Sequence, residues 1–444
     1  MKVKRGRCIL GAMAMLLLGQ LNAQNPLIQD QFTADPSARV FGDKVYVFPS
    51  HDILAEEGKG RVGWFCMEDY HVFSSADLTN WTDHGMIVSQ ENVAWADPKG
   101  YSMWAPDCIE RNGKYYFYFP TKKKDAAEGE GGFTVGVAVA DSPEGPYVPE
   151  ENPIEGIKGI DPNVFIDDDG QAYLYWSRSQ IYGAPLKENM LELAAEPTVL
   201  GDLPQKGHKE GPYMIKRNGV YYLTYPHVEN KTERLEYATG DSPLGPFTVQ
   251  GVIMDESPTG CWTNHHSIIN YKGQYLLFYH HNELSPQFDK SRSIMADSLF
   301  FEPDGKIRKV TPTLRGIGIT IASDKIQIDR YSSKSEDASI SFNDSTDTFQ
   351  GWYLNLSGKG SWVQYNSVDF SKTLKAVQIK AHSSKGAVLE IRTTSDALLA
   401  IVKVSGDGDW QEAEEELKTT TSGLQNLKLV VKKGEAKVDW VRFE

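Results

Sequence analysis

The chain has 444 residues, more than one ordinary core accommodates and comfortable for two domains. Acidic side chains outnumber basic ones by 60 to 46, and the formal charge is −14. That balance argues against nucleic acid and membranes as partners and suits a soluble protein acting on a neutral substrate. Aromatic residues make up 11%, which fits both sugar-stacking sites and strand-rich folds and so separates neither.

Residues 1–23 have the pattern of a secretory signal peptide. Lys2, Lys4, Arg5 and Arg7 precede an apolar run over 9–18 that is too short to span a bilayer, and Leu21-Asn22-Ala23 offers a cleavage site before Gln24. Export, periplasmic or secreted, is the expected location. Cleavage removes four basic groups and no acidic ones, which moves the formal charge from −14 to −18. Cys66, Cys108 and Cys261 then remain. Their odd number and the lack of a Cys-x-x-C spacing predict buried thiols rather than a zinc site.

A turn followed by an aromatic strand recurs five times. The copies are Phe41-Gly42-Asp43-Lys44-Val45-Tyr46, Asn112-Gly113-Lys114-Tyr115-Tyr116, Asp169-Gly170-Gln171-Ala172-Tyr173, Asn218-Gly219-Val220-Tyr221-Tyr222 and Lys272-Gly273-Gln274-Tyr275-Leu276. Asn-Gly and Asp-Gly favour two-residue hairpin turns because both central positions accept positive φ. Aligned on Asp43 and the four glycines, the copies are 70, 57, 49 and 54 residues apart, room for one four-stranded sheet each. The spacing predicts an all-β chain with a five-bladed β-propeller over 24–318. Asp167 to Asp169 read as a solvated hairpin tip.

Eight or nine residues before each turn stand Asp35, Ala105, Asp161, Glu210 and His265. Each acid alone is explained by a turn, since Asp-Pro often opens one. Four ionisable groups at repeat-related positions point instead to one central funnel. Hydrolysis of a glycosidic bond needs a protonated acid and a carboxylate that activates water or attacks the sugar, and a third carboxylate raises the pKa of the acid. Trp104, at the start of the second unit, is a candidate sugar platform. Asp52 is read as a support for Asp35. Trp64, Asp69, Tyr70 and Trp95 fall in the long first interval, read as a loop over the funnel.

The stretches Ala34-Asp35-Pro36-Ser37, Trp104-Ala105-Pro106-Asp107, Gly159-Ile160-Asp161-Pro162-Asn163, Lys209-Glu210-Gly211-Pro212 and Asn264-His265-His266-Ser267 closely resemble glycoside hydrolase family 43, over roughly 26–316. The resemblance implies an inverting hydrolase of arabinose- or xylose-containing glycans. By motif, Asp35 is the general base, Glu210 the general acid and Asp161 the residue that tunes it. His265 matches a histidine deep in the funnel that holds a water or a calcium ion, and Arg292 an arginine near the sugar. His266, on the opposite strand face, is structural.

Residues 319–444 predict a separate β-sandwich (jelly-roll). Gly360-Ser361-Trp362-Val363-Gln364-Tyr365, Gly408-Asp409-Trp410-Gln411 and Val438-Asp439-Trp440 resemble a family 6 carbohydrate-binding module. Lys437 stands where such modules often carry an asparagine that bonds sugar, which leaves a bracing role as open as a binding one. Trp362 and Trp410 are expected in the core. The leading function is an exo-acting α-L-arabinofuranosidase on oligo- or polysaccharide, needing no cofactor for its chemistry. The alternatives are a β-D-xylosidase, a related hexofuranosidase and, from another class, a non-catalytic glycan-binding propeller.

Overall fold

Short hairpin turns organise an all-β chain. The computed structural model describes residues 24–126 and 132–444, and the signal expected over 1–23 lies outside the described residues. The one helical element among those described is a 3-10 turn at Thr348–Gln350, and no helix there is long and apolar enough to cross a membrane. Asn112-Gly113, Asn218-Gly219 and Lys272-Gly273 each place two residues at positive φ between strands in tight register. This geometry matches the twist of the strands it joins. The third connection is longer, since Ile166 pairs with Ala172. Asp167 is not solvated there as expected: its carboxylate accepts from Lys216 Nζ at 2.6 Å and from the Tyr221 hydroxyl at 2.6 Å.

Five antiparallel sheets follow one another along the chain. Sheet one holds Phe32–Phe41, Lys44–Asp52, Asp69–Ser75 and Thr82–Ser89, and sheet two Asp107–Arg111, Lys114–Lys122, Phe133–Ala140 and Val148–Pro149. Sheet three holds Ile160–Ile166, Ala172–Ser177, Ile181–Pro185 and Thr198–Val199, and sheet four Tyr213–Arg217, Val220–Val228, Glu233–Gly240 and Phe247–Met254. Sheet five has three strands, His266–Tyr271, Gln274–His281 and Ser293–Leu299.

The first strand of each sheet touches the first strand of the next, and that of sheet five touches sheet one, so the five close a ring. One apolar cluster fills each junction. Phe48 shares a cluster with Phe117, Val137 with Leu174, Tyr175 with Leu223, Tyr237 with Leu277, and Val47 with Phe278. Sheet five would leave an open edge at its third strand. The N-terminal segment covers it: Leu27 N–H donates to Ile294 C=O, and the Asn25 side chain exchanges hydrogen bonds with the Ala296 backbone.

The rest of the chain forms two six-stranded sheets around one core that includes Leu354, Tyr365, Ile379, Leu389 and Phe443. Trp352 belongs instead to the cluster between sheets four and five, where it is 1% exposed. The Arg330 guanidinium lies 3.8 Å over its ring and donates to Asn25 C=O. Trp410 is 40% exposed beside Tyr353 and His382, not in the core as expected. It falls on the outward phase of the edge strand Trp410–Glu416, with Glu412 and Glu414, while Ala413 on the other phase packs against the core. Cys66, Cys108 and Cys261 are free and buried.

Trp352→Ala empties a filled site shared by the two parts of the molecule. The expected cost is about 3–5 kcal/mol, read as a lower midpoint in denaturant unfolding followed by tryptophan fluorescence.

Candidate active site

Asp35 and Asp161 each precede a proline, and each holds positive φ, 50° and 58°. Both lie at slips in strand register, between Ala34 and Ser37 in sheet one and opposite Tyr175–Ser177 in sheet three. A bulge of this kind re-aims a side chain, and aspartate tolerates the left-handed region. Gly211, before Pro212, is the counterpart in sheet four at φ 51°. A Cβ there would stand 2.9 Å from His265 Nδ1, so the acid sits one residue earlier, on the longer arm of Glu210.

Asp35, Asp161, Glu210 and His265 line one cavity of about 380 Å³ together with Trp104 and Arg292. Its walls also include Trp64, Phe65, Met67, Trp262 and Lys290, a mixture of apolar faces and few polar groups usual for small-ligand sites. A wider hollow of about 780 Å³ adjoins it across Trp104 and Ile160.

The charges divide into two sides. On one, Asp35 Oδ1 accepts from Arg292 Nη1 at 3.0 Å and Oδ2 from the Ser50 hydroxyl at 2.6 Å. Its own N–H donates to His280 Nδ1 at 3.0 Å. Burial alone would raise this carboxyl, but the Arg292 charge, helped by His280, His265 and Ser50, brings it to about 2. Arg292 also donates to both oxygens of Asp52, at 2.8 and 2.9 Å. Asp52 is thus buried behind the guanidinium and lines no part of the cavity. It supports Arg292, and through it Asp35, and is not a sugar contact.

On the other side no cation of comparable strength stands among the described residues. Asp161 Oδ2 accepts from Gly211 N–H at 3.0 Å and from the Ser177 hydroxyl at 2.9 Å. Burial and the neighbouring Glu210 push its carboxyl well above the usual range. Glu210 pairs through Oε2 with His208 Nε2 at 2.8 Å. Burial raises Glu210, and the His208 hydrogen bond and charge, with Glu233 and His265 beside it, more than reverse that. Glu233 is fully buried and raised well above its usual value by burial and by Glu210.

Two expected contacts fall elsewhere. Tyr70 is buried in the third strand of sheet one, and its hydroxyl donates to Trp104 C=O at 2.6 Å. Trp95 stacks on Phe119 with rings 6.0 Å apart. Neither lines the cavity, because Tyr70 lies in a strand and Trp95 packs into the core, whereas Trp64, Phe65 and Met67 of the same long first interval do line it. His266 is buried, its Nε2 2.6 Å from the Thr224 hydroxyl oxygen.

Calcium takes six to eight oxygen ligands at once. Among the described residues, no group of three His, Cys, Asp or Glu with ligand atoms within 4.8 Å of one another includes His265. The Asp35 carboxylate nearby is already engaged by Arg292 and Ser50. The side chains around His265 do not by themselves form a calcium cage, and no chemical step below runs through a metal.

Sequence reasoning missed Phe65, Trp262, Lys290, His280 and Glu233. Trp262 was within reach, two residues before the stretch Asn264-His265-His266-Ser267. The others carry no local signal.

A closed ring of sheets around a cavity of opposed carboxyl groups defines a hydrolytic site. Residues 23–307 match the family described as Glycosyl hydrolases family 43, and residues 332–444 match Carbohydrate binding module (family 6). The chain belongs to glycosyl hydrolase family 43 and carries a C-terminal family 6 module. It is 38% identical over 331 residues to xylosidase/arabinosidase 43A of Humicola insolens, covering 64% of this chain and 98% of that one. It is 37% identical over 326 residues to a xylosidase/arabinosidase of Bacteroides ovatus, covering 63% and 95%. A solved family 43 β-xylosidase/α-arabinofuranosidase from a compost microbial metagenome, in complex with xylotriose and calcium-free, is similar with a TM-score of 0.58. That structure is 36% identical and covers 66% of this chain and 98% of its own.

Gly211→Ala forces a Cβ against His265 at a backbone angle only glycine adopts freely. The expected result is a loss of about 1–3 kcal/mol in thermal unfolding, with a fall in turnover because Glu210 and His265 are displaced together.

Proposed function

We propose that the protein is an exo-acting, inverting hydrolase that releases terminal pentose, both β-D-xylose and α-L-arabinofuranose, from plant glycans. The observation that carries this reading is the division of charge across the cavity. Asp35 is ionised beside Arg292, whereas Asp161 and Glu233 retain protons beside Glu210. Asp35 takes a proton from water as that water attacks the anomeric carbon, and Glu210 gives a proton to the departing oxygen. Asp161, tied to the Gly211 amide, positions Glu210 and keeps a proton close to it. Trp104 and Phe65 offer ring faces to the sugar, with Arg292 against Phe65 at 4.9 Å.

The sequence alone put arabinofuranosidase first. Relatives that bear both activity names support the joint assignment. In this reading the ring of five sheets is a five-bladed propeller over 24–318, the remainder is a jelly-roll sandwich over 319–444, and residues 1–23 direct export.

Asp35→Asn and Glu210→Gln should each lower kcat/KM on xylobiose by about 10²–10⁴ while leaving the folded state intact by circular dichroism. Near-full activity in either variant overturns the assignment, and binding without turnover in the wild type would favour a non-catalytic glycan binder. Assays on aryl β-D-xylosides and aryl α-L-arabinofuranosides decide between joint and single specificity.

The pH dependence carries a sign. Asp35 titrates at about 2 against an ordinary 3.8, so its ion pair stabilises fully above about 3.8 and is lost as pH falls through 2. Arg292→Leu leaves burial opposed only by His280, His265 and Ser50. The acid limb of the activity profile should then move to higher pH, with kcat/KM at pH 5 falling by about tenfold or more.

A further inference from the structure

We infer that Glu233 shares a proton with Glu210 and loads the general acid before each turnover, an inference that rests on Glu210 being that acid. Glu233 opens the third strand of sheet four, Glu233–Gly240, and is 0% exposed. Its backbone N–H donates to Trp262 C=O at 2.9 Å, and its Oε2 accepts from Asn264 N–H at 2.8 Å. Both contacts fix it against the segment that carries Trp262 and His265 into the cavity.

The other oxygen, Oε1, is buried and has no donor bonded to it among the described residues. Ligand atoms of Glu233, Glu210 and His208 all lie within 4.8 Å of one another. Glu233 is fully buried and the Glu210 side chain is 17% exposed, and at that range ionising both carboxylates carries a cost that one shared proton removes. A single proton on Glu233 Oε1, directed at Glu210, satisfies the orphaned oxygen, while His208 Nε2 occupies Glu210 Oε2. The opposed titration of the two groups agrees with that placement. The ionisable groups facing the pair are His208 and Lys209 from the segment before sheet four, Asp161 from sheet three, and His265 from the segment before sheet five.

The step balances. The proton passes from Glu233 Oε1 to Glu210, and Glu233 remains as a carboxylate held by the Asn264 amide. Glu210 gives the proton to the glycosidic oxygen as the bond from that oxygen to the anomeric carbon breaks. Water supplies the hydroxyl to that carbon and its proton to Asp35. Asp35 then releases a proton to solvent, and the pair is recharged from solvent through His208, whose side chain is 43% exposed. Glu233 touches no substrate and is a positioning residue.

Glu233→Gln keeps the size and the acceptor for Asn264 but removes both the like charge and the shareable proton. On xylobiose, its alkaline limb of kcat/KM should move down by about one pH unit, with a fall in kcat. On a 2,4-dinitrophenyl xyloside, whose leaving group needs no proton, rate and profile should match the wild type. Glu233→Asp, which still carries a proton, should keep the wild-type limb, and thermal unfolding of both variants checks the fold.

Glu210→Gln is run beside them. If its loss does not depend on the leaving group, the assignment of Glu210 fails. If that dependence is present but Glu233→Gln leaves the alkaline limb unmoved, the present inference fails alone. Wild-type activity lost to EDTA and restored by calcium, with Glu233→Gln unresponsive, would show a shared cation instead of a shared proton and also overturn it.

Discussion

The Arg292 guanidinium sets which carboxyl group in the cavity is ionised. It is desolvated, donates to Asp35 and to both oxygens of Asp52, and lies against Phe65. Buried ion pairs of this kind add little net stability, because desolvation offsets most of the attraction. What they fix is a charge state. Without this partner, burial would press the Asp35 pKa upward against only His280, His265 and Ser50. With it, the group is a carboxylate across the working pH range.

The same residue depends on ring closure. Arg292 precedes the edge strand of sheet five, and its carbonyl accepts from Thr33 N–H in the first strand of sheet one. Asp35 and Asp52 come from sheet one, so the ion pair bridges the first and last sheets. Joining the ends of the ring and ionising Asp35 are therefore one structural event. Across the cavity, burial acts without a comparable cation, and Asp161 and Glu233 keep their protons around Glu210. A base and a proton supply face each other because one guanidinium stands on one side only.

The hairpins were legible because Asn-Gly and Lys-Gly turns encode their register in two residues. Asp35, Asp161, Glu210 and His265 were legible together because the repeat made their positions equivalent, and all four reach the cavity. Spacing could not tell which face of a strand Tyr70 presents, nor that Trp95 stacks inward on Phe119. Asp52 was seen as an aid to Asp35 but its true partner lies 240 residues away. Glu233 was silent for a related reason. It is one acid in the strand sequence Glu233-Arg234-Leu235-Glu236, and only its packing on Asn264 shows which way it faces.

In the proposed reading Asp35 activates a water rather than attacking the sugar itself, so hydrolysis is a single displacement. The most direct test is the configuration of the sugar first released, followed by ¹H NMR during hydrolysis of a β-D-xyloside before mutarotation sets in. The account predicts α-xylose as the first product. Initial β-xylose would mean a covalent intermediate and would contradict the roles given to Asp35 and Glu210.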